Sequence, residues 1–559
     1  MIRTARLLDR RQSWALALPV GLVLLAYVLY PSLRMFATGL GAEGLTDMFS
    51  GWGSANTRAL FNSVWISLLS VVGAGVLGTG MAYGFFRFEF PFRRTLMAVA
   101  ALPLALPPLV GVLAFLFLYG ESGIIPRGLQ ALFGLSEVPF AFDGLPAVWL
   151  VHVYSFYVYF YLFVSAAFRN IDRSVIEASL DLGASGIVTF RRVLLPMLRP
   201  ALVSASLLVF MISMASFTAP LLFAGTENFL TLQIYNYKTN GNLEMSAAVA
   251  SVLTVICLAF LALIELGKRG TTGTSASKGA GAPPIPLTSG WARWVVGGVG
   301  LILLTILLLP IGVILLISFV KEGSWTYQVL PQAYTLANYG SLLSQADVFE
   351  PIQNSLVMAS LATLANVVFG VGAALLIVKG AIRGRAVFRA IAMLPFAIPG
   401  TVIAINLIVT FNQPSVAGFG QVLVGSFWLL PLAYFIRNVP LVVRATTSAL
   451  ESYDPRLTEA SIDLGAASFT TFRRVMLPIL GPSILAGTLL TFVAALGEFV
   501  SSILLYNFDN RPISVEILAQ LRLYDFGAAA AYSVLLMILV GLATLAVRQM
   551  GGAADRAGI

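Results

Sequence analysis

The sequence predicts an all-α polytopic membrane protein with about twelve transmembrane helices of roughly 20 apolar residues each. Three observations predict it. First, only 11% of the residues are charged and 58% are hydrophobic, with a mean hydropathy of +0.89; a soluble domain carries about 25% charged residues. Second, the apolar residues gather in long runs separated by short polar islands. Third, one island, residues 177–200 (EASLDLGASGIVTFRRVLLPMLRP), returns at 459–482 as EASIDLGAASFTTFRRVMLPILGP, so the chain reads as two tandem six-helix halves.

In order, the first half offers spans at 13–32, 60–86, 95–119, 146–168, 200–224 and 245–266. The second offers 293–319, 352–378, 388–411, 421–440, 482–506 and 526–548; 421–440 is the least apolar, with Pro431, Arg437 and Pro440 inside it. Arg3, Arg6, Arg10 and Arg11 precede the first apolar run. No small-residue cleavage site follows that run, so it reads as an uncleaved first span. The halves are a first domain at 1–266 and a second at 292–559. Between them, 267–291 is rich in Gly, Ser, Thr, Ala and Pro without apolar periodicity, which reads as a flexible linker. The repeat extends beyond the islands. Asn62-Ser63 matches Asn354-Ser355, and Leu102-Pro103 with Pro107 matches Leu394-Pro395 with Pro399. The prolines predict kinked third spans.

Charge sets the topology. Arg87, Arg93, Arg94, Arg169, Arg173, Arg191 and Arg192 fall on one side, as do Lys379, Arg383, Arg385, Arg389, Arg444, Arg456, Arg473 and Arg474. The opposite side holds few basic residues. The bias places both termini and both repeated islands in the cytoplasm. An even number of spans per half gives the halves the same orientation, with a pseudo-two-fold axis along the membrane normal and a solute path along it. The net charge of +9 is thereby a matter of topology, and nucleic acid is not an expected partner. One cysteine (Cys257) and one histidine (His152) exclude an intrachain disulfide and a multi-histidine or cysteine-ligated metal site.

Each island reads as a hairpin of two short helices. Asp172 and Asp454 are N-caps, and Pro455 suits a first turn. A helix then carries Glu177 or Glu459, and Gly183 or Gly465 breaks it in a left-handed conformation. A second short helix carries Phe190, Arg191 and Arg192, or Phe472, Arg473 and Arg474, and Pro196 or Pro478 stops it. Taken singly, such a loop is an interfacial hairpin with topology-setting arginines. A capping box of Ser174 with Glu177 would not explain the second copy, which has Arg456 at the corresponding position. Two near-identical copies ask for more, because topology needs charge and not sequence.

The spacing is the hallmark pattern of binding-protein-dependent ABC importer permeases: Glu-Ala-Ala, three residues, Gly, nine residues, Ile, one residue, Leu-Pro. Glu177, Ala178, Gly183, Val193, Leu195 and Pro196 fit it, as do Glu459, Ala460, Gly465, Val475, Leu477 and Pro478. Ser179 and Ser461 stand where the family has its second Ala, and Val replaces Ile. The chain thus resembles two fused type I permease domains, with coupling loops near 172–199 and 454–481. That resemblance implies two copies of a cytoplasmic ABC ATPase, one seated on each loop, and a periplasmic or lipid-anchored binding protein that delivers solute. It also implies a bacterial inner-membrane location. The chain has no Gly, four residues, Gly-Lys-Ser/Thr pattern. It is therefore not expected to be an enzyme or to carry a cofactor; ATP and magnesium belong to the partner.

For the path, Glu498 lies mid-span, with Ser216 as its repeat counterpart. A carboxylate there is costly. It either lines an axial cavity that favours cationic solutes or is a packed carboxylate hydrogen-bonded to Ser501 or Ser502. His152, Tyr154, Tyr157, Tyr159 and Tyr161 select no single helical face and read as packing or an aromatic belt. A major-facilitator-like secondary transporter also has twelve spans in parallel halves, but it would leave the duplicated loops unexplained. A membrane enzyme finds no catalytic constellation here. Single-chain double permeases resemble ferric-iron, thiamine and aminoalkylphosphonate importers. The Leu-Gly-Glu-Phe segment and residues 507–526 look most like those of the iron-type members, a resemblance that implies ferric iron, with thiamine, 2-aminoethylphosphonate or a polyamine as alternatives.

Overall fold

The computed structural model describes residues 9–41, 46, 49, 51, 53–269, 285–286, 290–325 and 328–556. Most of the 267–291 linker and the first basic residues, Arg3 and Arg6, lie outside the described residues. The described chain is almost entirely helical. The one ladder pairs Phe88–Glu89 with Ile285–Pro286.

In the first half, α1 (Arg10–Gly39) starts from a capping box in which Asp9 and Gln12 exchange side-chain bonds. Next come α2 (Ala55–Arg87), α3 (Arg93–Val99), α4 (Pro108–Tyr119), α5 (Ile124–Phe133) and α6 (Gly144–Arg169). The hairpin helix α7 (Arg173–Asp181) precedes α8 (Gly186–Met214), α9 (Thr218–Phe223), α10 (Leu230–Thr239) and α11 (Leu243–Arg269). The second half begins with α12 (Gly290–Ile317), α13 (Ala337–Ser344), α14 (Ala346–Lys379), α15 (Arg385–Ala397) and α16 (Gly400–Phe411). It continues through α17 (Leu429–Ser452), α18 (Pro455–Asp463), α19 (Ser468–Leu496), α20 (Ser502–Leu505), α21 (Ile513–Arg522) and α22 (Phe526–Arg556).

Among the described residues ten helices are long and apolar enough to cross a membrane, with α4 and α5 counted as one at Pro108–Phe133, or eleven if α15 and α16 form one broken span. Twelve continuous spans are therefore not observed, and the corrections fall on three of them. The third spans do more than kink: α3 and α4 are separated by a 3-10 turn at Leu102–Ala105, and α15 and α16 meet at 110°. Proline forces this, since it removes a donor and drives the preceding residue to extended geometry. Leu106 before Pro107 has ψ 130°, and Ile398 before Pro399 has ψ 122°. The tenth span, expected at 421–440, is α17 at Leu429–Ser452; with Arg437 and Arg444 it is not apolar enough to count among the ten.

The chain forms two compact units. One comprises residues 1–48, 234–254 and 335–559; the other comprises 49–233 and 255–334. The units do not follow the sequence halves, because the first span of each half joins the unit built mainly from the other. In the unit that holds α1, Ser13 Oγ accepts the Ala381 N–H at 2.8 Å, and Tyr27 OH donates to Ala417 O at 3.1 Å. In the unit that holds α12, Tyr154 OH donates to Leu307 O at 3.0 Å. Tyr157 and Tyr161 likewise donate to the Ala100 and Met97 carbonyls. Tyr157 and Tyr161 thereby satisfy backbone carbonyls freed near the broken third span, as a span in hydrocarbon requires.

Candidate coupling hairpins and the helix breaks beyond them

The two hairpins have the same construction. Asp172 Oδ1 accepts the Ser174 N–H and Asp454 Oδ1 accepts the Arg456 N–H, each at 3.0 Å, which starts α7 and α18. Gly183 (φ +80°) and Gly465 (φ +83°) end them. Around each glycine a Schellman pair of bonds forms: Ala184 N to Ser179 O and Gly183 N to Leu180 O, then Ala466 N to Ser461 O and Gly465 N to Ile462 O. Ser179 and Ser461, the departures from the family pattern, have a definite part. Their hydroxyls meet Thr189 Oγ1 at 3.0 Å and Thr471 Oγ1 at 2.9 Å, tying the two arms together.

The second arm is not a separate short helix, and Pro196 and Pro478 do not stop it. The helix runs on through π turns at Phe190–Leu194 and Phe472–Met476 into the spans α8 and α19. Each proline is the second residue after its π turn, where the i→i−5 pattern has already displaced the bond that its missing N–H would leave open. Phe190 anchors its turn on Tyr83, with ring centroids 4.7 Å apart. Phe472 packs against the buried cluster formed by Ala374, Leu450, Tyr453, Met476, Leu480 and Ile484.

The hairpin tips project apolar side chains. Leu182 and Leu464 are each 88% exposed, and Ile187 and Phe469 are also strongly exposed. Ala178 and Ala460 lie exposed beside them, as do Arg191, Arg192, Arg473 and Arg474. Glu177 is exposed and Glu459 half-buried. Exposed apolar tips ringed by charge are what a docked partner would cover.

At their far ends α8 and α19 break. Glu498 is not within a helix but in the break after α19, and it is 6% exposed. Its Oε2 lies 2.6 Å from Arg437 Nε, and its Oε1 accepts the Ser501 N–H at 2.9 Å. Its carbonyl accepts from Ser502 Oγ and Ser514 Oγ. Ser502 Oγ also meets Tyr434 OH at 2.7 Å. Ser216 occupies the equivalent break after α8. Its Oγ is 2.8 Å from His152 Nε2, and its carbonyl accepts from Thr231 Oγ1 at 2.7 Å. His152 Nδ1 lies 3.1 Å from both Ser70 Oγ and Ser213 Oγ. The histidine is thus buried between three serines.

The family described as "Binding-protein-dependent transport system inner membrane component" matches residues 74–272 and again 366–554, one match per half. The chain belongs to this family. It is similar to "Probable ABC transporter permease protein y4fN" of Sinorhizobium fredii, with 30% identity over 92% of each chain. It is similar also to "Ferric transport system permease protein FbpB" of Actinobacillus pleuropneumoniae, with 25% identity over 86% of this chain and 69% of that one. "Sulfate transport system permease protein CysT" of Salmonella typhimurium is 32% identical over 40% of this chain and 80% of that one. The protein is thus a multi-pass inner-membrane permease subunit and not itself the ATPase.

The sequence reading of this permease passes over Thr189, Thr471, Tyr434 and Arg437 as site residues. The threonines carry a usable signal, since each stands ten positions after its serine in both copies. Arg437 carries one too, because a cation inside a span requires a partner.

Proposed function

We propose that this permease forms the translocation path of an ATP-driven importer of ferric iron. Each hairpin seats in one of two copies of a cytoplasmic ABC ATPase, and a periplasmic or lipid-anchored binding protein delivers the solute. The carrying observation is the duplicated hairpin: the same cap, the same left-handed glycine, the same Ser–Thr tie and the same π turn, each feeding directly into a span. Docking on such an arm would move the span as one body. The basic-residue bias supports a cytoplasmic position for both hairpins and both termini. With Cys257 replaced by Ser, Leu182→Cys and Leu464→Cys are expected to react with an impermeant thiol reagent only when the cytoplasmic face is open to it. Reaction from the outside would overturn the orientation.

For the solute, the support is the reach of the likeness. Permeases named for ferric transport align over 86% and 94% of this chain, across both halves. A second reading, sulfate, is favoured by the higher identity of the sulfate permease, 32%, but over 40% of the chain. Glu498 does not decide between them, since Arg437 neutralises it and the pair offers no net charge. The test is uptake into proteoliposomes holding the permease, its ATPase and its binding protein. ATP-dependent uptake of labelled ferric iron, and not of labelled sulfate, is expected; the reverse result would replace the solute and leave the importer standing.

A further inference from the structure

The helix breaks at Ser216 and Glu498 are built from equivalent parts. In each, the carbonyl of the break residue accepts a hydroxyl from the first turn of the short helix beyond, from Thr231 of α10 or Ser514 of α21. In each, its side chain is tied to the span before the hairpin, through His152 of α6 or Arg437 of α17. The tie differs in kind. One is a neutral hydrogen bond and the other an ion pair at 2.6 Å. Glu498 is buried and the Arg437 side chain is 33% exposed, and in such a partly buried place a charged tie is stronger than a neutral one.

The position of the charged tie gives it a use. From Ser468 in the hairpin to Leu496 at the break, the helix runs 29 residues, through its π turn and past Pro482, a length of about 43 Å at 1.5 Å per residue. A push on the hairpin arrives at the break. A free break would bend and absorb it, whereas a pinned break passes it to whatever it is pinned to. Here Glu498 pins the break to α17 through Arg437 and stiffens it through the Ser501 N–H. Ser501 Oγ in turn donates to Gly400 O, the first residue of α16, at 3.3 Å. The junction is close-packed. A methyl group on Gly400 would lie 2.7 Å from Arg437 Nη1 and 3.2 Å from Val500 Cβ.

We propose that the Arg437–Glu498 pair is a coupling latch, a pair of positioning residues that carries movement of the second hairpin past the helix break to α16, α17 and α21. The proposal rests on the importer reading above. In it Glu498 touches no solute. The first half makes the same junction with a weaker neutral tie, so the two hairpins contribute unequally to coupling.

The test uses the reconstituted complex of permease, ATPase and binding protein, and reads ATP hydrolysed per solute imported. The decisive variant is Arg437→Ser with Glu498→Ser, which removes the ion pair and leaves at both places the serines that the repeat has there in the first half, Ser155 and Ser216; the first half's own tie, His152, stands at the repeat position of Tyr434 and is not installed. The double variant should co-purify with the ATPase as the wild type does, while the ratio rises at least about fivefold, the lower end of usual coupling between sites. Arg437→Lys, which keeps the charge, should stay within about twofold of wild type by the same measure. Should the double variant fail to assemble, Glu498→Gln decides on the same ratio, because its amide oxygen still accepts the Ser501 N–H. An unchanged ratio in the deciding variant overturns the latch. So does a raised KM for solute at an unchanged ratio, which would make Glu498 a solute contact. Wild-type uptake is the separate check on the importer reading, so the two failures are told apart.

Discussion

The two halves of this permease share a framework and differ in what they bury. Asn62 and Asn354 both clamp the loop before the short helix that follows each break, α10 or α21, through the Asn228 and Arg511 carbonyls. Ser63 and Ser355 both accept that helix's first N–H, from Leu230 and Ile513. On this register the neutral pair Gln233–Asn228 of the first half, at 2.7 Å, corresponds to Glu516–Arg511 of the second, also at 2.7 Å. Ser216 corresponds to Glu498, and each is tied to the span before its hairpin, though from different positions: by His152, which aligns with Tyr434, and by Arg437, which aligns with Ser155. Ala74 and Val209, both fully buried, correspond to Asn366 and Thr491, also fully buried. Asn366 and Thr491 have side-chain atoms with no hydrogen-bond partner among the described residues. The first half reaches the same helices without any of these charges and amides. The fold does not require them, and buried charge is no general source of stability. The difference therefore separates what two permease domains must share, the hairpins and clamps, from chemistry that only the second half carries.

The largest expected effect tests the shared part. Gly183→Val and Gly465→Val each place a β-branched residue at φ near +80°, at about 1–2 kcal/mol, and displace the arm beyond. Each should weaken ATPase co-purification to a similar degree, and the double variant should abolish it, with membrane insertion intact in all three. A double variant that keeps its ATPase and transports normally would show the hairpins to be surface features. Markedly unequal single effects would show that identical geometry is not identical function.

Next in size is the Arg511–Glu516 ion pair. Arg511→Met leaves Glu516, 3% exposed, without its cation and should cost about 3 kcal/mol, the low end for breaking a buried pair because Arg511 keeps some exposure. Arg511→Asn with Glu516→Gln installs the first half's pair and should cost about 1 kcal/mol or less, the worth of one neutral hydrogen bond. Thermal unfolding in detergent distinguishes them. Equal losses would mean that the second half depends on its charges for folding, contrary to the comparison. Asn366→Ala, the residue at position 74 of the first half, should raise stability by about 1 kcal/mol, since a buried unpaired amide costs about 1–3 kcal/mol and the cavity left behind takes part of that back. A lower midpoint would mean that the amide is satisfied in the working protein.

Much of this is legible in the sequence. Apolar runs give the spans, and Asp172, Gly183 and their copies give the hairpin caps, because caps and left-handed turns depend on one residue and its immediate neighbours. The rest depends on relations between helices. Pro196 announces a lost donor, but the π turn that accommodates it is a choice the following span makes. Pro399 announces a break, but the 110° angle between α15 and α16 is set by what they pack on. Arg437 is visible as a cation in a span, while its pairing with Glu498 follows from the register of α17 against α19. The joining of α1 to the unit of the second half has no local signature at all.

The smallest effect concerns the hairpin arms. Ser179→Ala and Ser461→Ala restore the family's alanine and remove the hydroxyl that meets Thr189 or Thr471. Both threonines are buried, at 3% and 0% exposure, so neither regains its bond from water. A net hydrogen bond of this kind is worth about 0.5–1.5 kcal/mol, and the serines are half-buried, which favours the low end. The Schellman bonds around Gly183 and Gly465 do not involve the hydroxyl, so the turn should hold. Each variant is expected to keep ATPase co-purification and uptake within about threefold, as a loss of about 0.5 kcal/mol would give, and to speed amide hydrogen exchange in α7 or α18. Because the two ties have the same partners and nearly the same length, the two variants should match. A loss of assembly in one alone would place the asymmetry of this permease in its hairpins as well as in its buried charges.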